Sequence, residues 1–439
     1  MPSLPAGGEP QKKHRGATEE TQKGHRGNTE GTQQRHRRAT EETQKKHSKG
    51  TEETQHLAGS AWLIVAAGFH FRGGMDKANA ELAAYLLRRG ASLQLVAHDV
   101  DPLFLDHPRA RVHLVHRPLG SFALGEFGLD RRGRQAAQAL LTSTPGARVI
   151  VNGGNCRWPG VNWVHYVHHA WRGVDTLAPL WFKAKHRIFS ARWRRREKAA
   201  LQAAPIVIAN SALTRDHLLT YIGIPEARVR TVYLGADPAW GPATADERAS
   251  ARQWLGLTGE RPAVAFVGAL GLDRRKGFDT LWKAWTTLCA LPEWDADLIV
   301  AGSGADANWI AAGAERAGVA GRVRLLGHTD RIRDVLAAVD LLVSPVRYEP
   351  YGLNVQEAIC RGVPAVVSRN AGVAERYPAD LADMLLNDPD SVEELANILR
   401  RWRPEAVEWK ARVVPLGEEL RAYGWEDMAE AFVETVVAA

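Results

Sequence analysis

Cysteine is scarce. Cys156, Cys289 and Cys360 are the only three, and they stand far apart, which argues against a disulfide framework and for a reducing compartment. No apolar run approaches the roughly 18 residues of a membrane-spanning helix; the longest near the front, AWLIVAAGF (61–69), is the size of a strand. The N-terminus opens on Pro, Gly and charge, where a secretory signal would place an apolar core. A soluble, cytoplasmic protein is expected. H-E-x-x-H and C-x-x-C are absent and no D-x-D stands where it could hold a cation, so neither a metal site nor a bound cofactor is expected.

What is present is length: 439 residues, 45% of them hydrophobic, enough for two or three domains with sizeable cores. The net charge of +7 is modest. Residues 12–55 repeat every eleven residues as KKHRGATEETQ, KGHRGNTEGTQ, QRHRRATEETQ and KKHSKGTEETQ, with His14, His25, His36 and His47 in one place of each copy. That period suits a right-handed coiled coil, but nothing larger than Ala is there to form a seam. With no apolar surface to offset the cost of ordering, residues 1–57 are expected to be a disordered, solvated tail. Weak metal or anion binding by the spaced histidines is the functional alternative.

From residue 58 short apolar strands alternate with amphipathic helices. WLIVAA (62–67) precedes GGMDKANAELAAYLLRRG (73–90), in which Leu82, Tyr85, Leu86 and the alanines recur at helical spacing and Gly90 ends the run. SLQLVAH (92–98), RVIVN (148–152), NWVHYVH (162–168) and PIVIAN (205–210) read as further strands. The polar DPAWGPATADERA (237–249) breaks the pattern. A second series then follows: AVAFVG (263–268), ADLIVAG (296–302), RVRLLG (322–327), DLLVSP (340–345) and PAVVS (364–368). Apolar strands separated by helices imply parallel sheets covered on both faces. The predicted fold is therefore α/β: two tandem Rossmann-like, doubly wound domains, 58–245 and 246–415, facing a cleft. Residues 416–439 are expected to close the chain as helices packed back on the first domain.

Ligands of such folds bind beyond the carboxyl ends of strands, which directs attention to RYEPYGLNVQEAICRGVPAV (347–366). Glu349 and Glu357 stand there with seven residues between them, and a helix begins near Leu353. The N–H groups of Tyr351, Gly352, Leu353 and Asn354 would point out of its N-terminus, a place for phosphate or sugar oxygens. A carboxylate beside them would instead accept hydrogen bonds from hydroxyls, as an acid does for the ribose diol in dinucleotide folds. Together these describe a nucleotide-sugar. An acid that merely satisfies the helix dipole accounts for Glu349 but not for Glu357, one turn in. Gly73 and Gly74 also precede a helix, where missing side chains let the backbone approach a diphosphate. GSGADA (302–307) matches the dinucleotide pattern G-x-G-x-x-A, but the acid expected about 20 residues on is missing from GVAGRVRLLGH (318–328), which weakens the case for an NAD-dependent enzyme.

E-x7-E after a strand, followed by AICRGVPAVVS (358–368), resembles the signature of family 4 retaining glycosyltransferases of the GT-B fold. The likeness extends over most of 58–438. RGGMDKANAELAAYLLRRGASLQLV (72–96) resembles the family's first glycine loop and helix, and IVIANSALTRDHL (206–218), TVYLGAD (231–237) and FVGALGLDRRKGFDTLWKAW (266–285) fall in the family's order. The resemblance implies that Glu357 binds the donor ribose hydroxyls, while Glu349 and the amides of residues 351–354 meet the transferred sugar and the diphosphate. Lys276 is similar to the family's phosphate lysine, whose ammonium stabilises charge on the leaving diphosphate. An arginine usually follows the glycine of this strand, but Ala269 follows Gly268 here, leaving Arg274 or Arg275 to supply that charge. The loop holding Gly302 and Gly304 would line base and ribose. The family places a histidine at the sugar, a role that falls to His168 in VHYVHHAW (164–171), in preference to His169.

The implied activity is metal-independent transfer of a sugar, with retention, from a nucleoside diphosphate sugar to a hydroxyl of a glycan, lipid-linked or small-molecule acceptor. The donor is a co-substrate, not a cofactor. A nucleotide-sugar epimerase or hydrolase, or an inactive sugar-binding protein, are the alternatives on the same fold. APLWFKAKHRIFSARWRRREK (178–198) carries an apolar stripe of Leu180, Trp181, Ala184, Ile188 and Ala191 among eight Lys/Arg. It resembles a basic interfacial helix, which suggests peripheral contact with the inner face of a membrane; a helix packed on the sheet with a solvated basic face explains it equally well. No base-reading element accompanies it, so nucleic acid is not an expected partner.

Overall fold

The computed structural model describes residues 57–438 apart from 172, 174–179, 258 and 306; the repeat at 12–55 lies outside them. Among the described residues the first half of the chain supplies strands β1 (Ala61–Val65), β2 (Ser92–Ala97), β3 (Ala110–Leu114), β4 (Arg148–Asn152), β5 (Val161–Val164), β6 (Val207–Ala209) and β7 (Val229–Thr231). They lie in the order β3-β2-β1-β4-β5-β6-β7. The second half supplies β8 (Ala263–Val267), β9 (Asp297–Ala301), β10 (Val323–Gly327), β11 (Leu341–Ser344), β12 (Ala365–Ser368) and β13 (Leu385–Leu386), ordered β10-β9-β8-β11-β12-β13. Every pairing within both sheets is parallel. Runs such as LLVS in β11 and AVVS in β12 are buried at each residue, the signature of a sheet with helices on both faces.

In each sheet the strand order reverses beside the first strand, between β1 and β4 and between β8 and β11. Chains leaving these neighbours run to opposite faces, and the crevice that opens there is where such folds take ligands. The loops after β1, β8 and β11 carry Gly73, Lys276 and Glu349 respectively. Fold topology thus gathers residues that the sequence scatters over almost 300 positions.

The helices α1 (Gly74–Arg88), α2 (Phe122–Ser143), α3 (Leu180–Ala203), α4 (Phe278–Cys289), α5 (Leu353–Cys360) and α6 (Trp425–Val437) frame this crevice or cover the sheets. α6 belongs to the core of the first half: Trp425, Met428 and Phe432 pack in one cluster with Trp62, Tyr85 and Trp163, and the Phe432 ring centroid is 4.6 Å from that of Trp163. The preceding helix, Val414–Arg421, instead packs Leu416 and Leu420 into the second core. The chain therefore crosses back between 421 and 425.

Two expectations change. β5 ends at Val164 and does not run to His168, because its neighbour β6 has only three residues and Val164 already pairs with the last of them, Ala209. The stretch 101–128, to which the sequence pattern assigns no element, contains β3 and the start of α2. β3 is an edge strand with His113 as its one buried residue, so its alternation is too polar to register as a strand.

Candidate functional site

Gly277 explains how the two loops of the second half come together. It sits in left-handed backbone with φ of 69°, and a Cβ there would lie 1.7 Å from the carbonyl oxygen of Pro345. Only glycine lets the loop after β8 touch the end of β11 so closely. The contact sets Lys276 and Arg275 against Glu349. The Lys276 ammonium is hydrogen-bonded to Glu349 Oε2; Arg275 Nη1 approaches the same oxygen at 3.4 Å and donates to the Tyr348 carbonyl at 3.2 Å. Burial alone would raise the Glu349 carboxyl, but Lys276 and then Arg275 draw it below its ordinary value, so it stays charged. Of the two arginines left open by sequence, Arg275 joins the cluster. Arg274 turns to Asp279 at 3.6 Å, and Ala269 lines the cleft without charge.

Gly352 caps α5 in left-handed backbone, φ 110°. Among the described residues the N–H groups of Gly352, Leu353 and Asn354 have no acceptor, as expected of a first helical turn. The side chains nearby have other work. Tyr351 and Leu353 pack into the core of the first half, and Asn354 Nδ2 donates to the carbonyl of Val267 at 3.0 Å, tying α5 to β8. Only backbone at 351–354 remains for a ligand, so the predicted contribution of this turn is confined to its amides.

One turn on, Glu357 faces a cleft of about 520 Å³ between the halves. Gly73 lines it from the first half, and Gly268, Ala269 and Gly302 from the second. Positive φ at Gly73 and Gly74, with open space where their Cβ atoms would be, leaves bare backbone at the start of α1. Gly302 is needed for packing as well, since a Cβ would meet the Gly268 oxygen at 1.8 Å. Gly304 does not line the cleft. A Cβ there would strike the Leu270 oxygen at 2.0 Å, so close packing of two loops requires glycine.

The histidine-rich stretch sorts into three environments. His165 is in the core, its ring tilted against Trp163 at 4.3 Å, with both ring nitrogens unpartnered, and burial holds its pKa down at about 3. His169 Nδ1 meets Glu197 at 2.8 Å, and the other oxygen of that buried carboxylate accepts from the His168 N–H. His168 lies in the turn beyond β5, between Tyr166 at 4.7 Å and Trp193 at 5.7 Å; burial lowers its pKa, favouring neutral imidazole. It is not a cleft-lining residue. The geometry links it to the Glu349 cluster through Tyr166, which meets Tyr348 edge-to-face at 5.1 Å and underlies Arg275 at 5.6 Å.

Bonds across the halves surround this site. Ser211 Oγ donates to the Pro350 carbonyl at 2.6 Å, the Val167 N–H donates to Tyr348 Oη at 2.9 Å, and Glu375 accepts from the N–H groups of Ala212 and Leu213. Sequence reasoning missed one member. Lys77 of α1 places its ammonium 3.7 Å from Glu357 Oε1; a lone lysine behind a glycine pair carries no signal until the halves are assembled. Elsewhere, 178–179 and the side chains of Leu180 and Trp181 lie outside the described residues, while Ile188 of α3 is 69% exposed. Arg192 and Arg196 are drawn to Glu126 and Phe127. Among the described residues no helix is long and apolar enough to cross a membrane, and no three His, Cys, Asp or Glu are grouped to hold a metal ion.

Each half of the chain matches a family model: Glycosyltransferase Family 4 over 72–240 and Glycosyl transferases group 1 over 261–402. A 246-residue stretch is 31% identical to alpha-maltose-1-phosphate synthase of Mycolicibacterium smegmatis, covering 48% of this chain and 62% of that protein. An uncharacterized glycosyltransferase of Methanocaldococcus jannaschii is 27% identical over 197 residues, 42% of this chain and 48% of that one. The chain thus spans about half of the length of such relatives. Among solved structures, WaaG, a glycosyltransferase involved in lipopolysaccharide biosynthesis, aligns with a TM-score of 0.67 at 20% identity, over 85% of this chain and 99% of that one. HepE of Anabaena, in complex with UDP and glucose, aligns at 0.63 and 18% identity, over 87% and 100%. These likenesses show the fold, which is GT-B.

Proposed function

We propose that this chain, whose halves carry the family 4 and group 1 glycosyltransferase regions on a GT-B fold, is a retaining glycosyltransferase using a nucleoside diphosphate sugar. The observation that carries the proposal is the pairing of Lys276 and Arg275 on Glu349 beside the open amides of α5, whose next turn carries Glu357 at the cleft between the halves. Two cations share the Glu349 carboxylate there, with Asp273 also close to Arg275. A diphosphate placed there would find Lys276, Arg275 and the amides of Gly352 and Leu353, all of them donors aimed at charge that grows as the glycosidic bond breaks. Glu357 would accept from the ribose hydroxyls, and Glu349 from hydroxyls of the transferred sugar.

The bond between the sugar's anomeric carbon and the diphosphate oxygen breaks, and the acceptor oxygen attacks from the same face. The acceptor's proton passes to the departing phosphate oxygen, so no enzyme nucleophile is required. Charge neutralisation by Lys276 and Arg275 supports turnover without a metal, and activity is expected to persist in EDTA. The acceptor is proposed to be a hydroxyl of a glycan or lipid-linked sugar. Exposed Ile188 among the bases of α3 favours peripheral contact with anionic lipid, which co-sedimentation with anionic vesicles tests.

The decisive experiment screens UDP-, GDP- and ADP-sugars by thermal shift, then follows transfer and reads the anomeric configuration of the product by NMR. Retention is expected, with Glu357→Ala and Lys276→Ala folded but slowed by about 10² or more. Wild-type rates in either variant, or an inverted product, would overturn the assignment.

A further inference from the structure

Lys77 has no task in the transfer described above, yet its surroundings are specific. It stands on α1 one turn past Gly73 and Gly74 and is 9% exposed. Its ammonium lies 3.7 Å from Glu357 of the opposite half. Two indoles flank it, Trp240 from the connection between the halves at 5.5 Å and Trp425 from the start of α6 at 5.3 Å. Segments from four regions of the chain converge on one ammonium. A lysine that only covered apolar surface would extend its charge to water. This one turns inward.

Resting on the donor role of Glu357, we propose that Lys77 is a positioning residue of the donor site, supplying from the first half the counter-charge that keeps the Glu357 carboxylate ionised and aimed at the ribose hydroxyls. A carboxylate drawn partly out of water holds its charge best beside a partner. The charged and titratable groups around Glu357 are Lys77 from α1, Asp237 from the connection and Cys360 on α5, and His70, Arg72, His328 and Asp330 line the cleft that it faces. Asp237 opposes ionisation and Lys77 favours it, while burial still raises the carboxyl to about 7. Without the ammonium the carboxyl would be protonated at neutral pH and lose part of its capacity to accept hydroxyl hydrogen bonds.

Lys77→Met keeps the aliphatic stem between the indoles and deletes the charge; Lys77→Arg keeps the charge. UDP-, GDP- and ADP-glucose are titrated by calorimetry from pH 6 to 9, and the tightest binder is carried through. For the wild type, affinity is expected to rise with pH about a midpoint near 7. In Lys77→Met the midpoint moves up by a unit or more, which weakens binding about fivefold to tenfold at pH 7 and restores it by pH 9. Lys77→Arg is expected to retain the wild-type midpoint. An unmoved midpoint in Lys77→Met, including uniform weakening at every pH, would overturn the proposal and leave Lys77 a packing residue. Glu357→Gln separates the two ideas: wild-type affinity there removes the donor role of Glu357 itself, and failure of all three nucleotides to bind the wild type does the same.

Discussion

Burial acts on Glu349 and Glu357 alike, but their neighbours differ. Glu349 has Lys276 and Arg275 and is held below its ordinary value; Glu357 has Lys77 alone, with Asp237 opposing, and is raised to about 7. The folded protein therefore retains a proton on Glu357 between about pH 4.5 and 7 that the unfolded chain has released. Its contribution to stability is full below pH 4.5 and declines towards pH 7. Donor affinity should change in the opposite sense, growing through pH 7 and levelling above it; a pH series of nucleotide-sugar titrations checks this. At Lys276, removal of the ammonium leaves Arg275 on Glu349. Lys276→Ala is expected to lower kcat by about 10²–10³, the loss typical of one donor to developing negative charge, with little change in Tm.

The loop after β8 and the end of β11 are joined through Gly277, and strain there should spread to both. Gly277→Ala combines left-handed backbone with a carbonyl 1.7 Å from the new Cβ, so the loops must part and carry Lys276 away from Glu349. Gly146→Ala supplies the control: φ is 89° there, but nothing lies within 4 Å. The control should cost about 1–2 kcal/mol and keep donor binding. Gly277→Ala should lose both stability and binding, as thermal melts and titration will record. The strands bearing these loops were legible because four or five consecutive apolar residues in a parallel sheet are buried on both faces. β3 is not legible, since an edge strand alternates with polar residues, and the run 162–168 overstates β5, whose length is limited by β6, a partner distant in sequence.

α6 binds the end of the chain to the first half, across the whole second sheet in sequence. Phe432 is fully buried against Trp163, and Phe432→Ala should cost about 3–5 kcal/mol. Because Trp425 on the same helix also flanks Lys77, the loss should weaken donor binding as well as lower Tm. Donor present at 100 times its Kd should raise stability by about 2.7 kcal/mol, a shift of several degrees; a melt unaffected by any nucleotide-sugar would count against the cleft as a donor site. The seam formed by Ser211, Tyr348, Pro350 and Glu375 makes closure a property of both halves.

The order of strands and helices, the doubly wound class, and the candidate residues Glu349, Glu357, Lys276 and Gly73 follow from local pattern and motif, because apolar periodicity, glycine and paired acids are written in consecutive residues. The structure alone brought Arg275 to Glu349 and Arg274 to Asp279, showed the close packing at Gly304, separated His165, His168 and His169, and introduced Lys77. Each of these depends on distances between segments separated by tens to hundreds of residues. Such distances arise only when parallel sheets twist, their loops meet at the strand-order reversal and the halves close, so no stretch of sequence holds them.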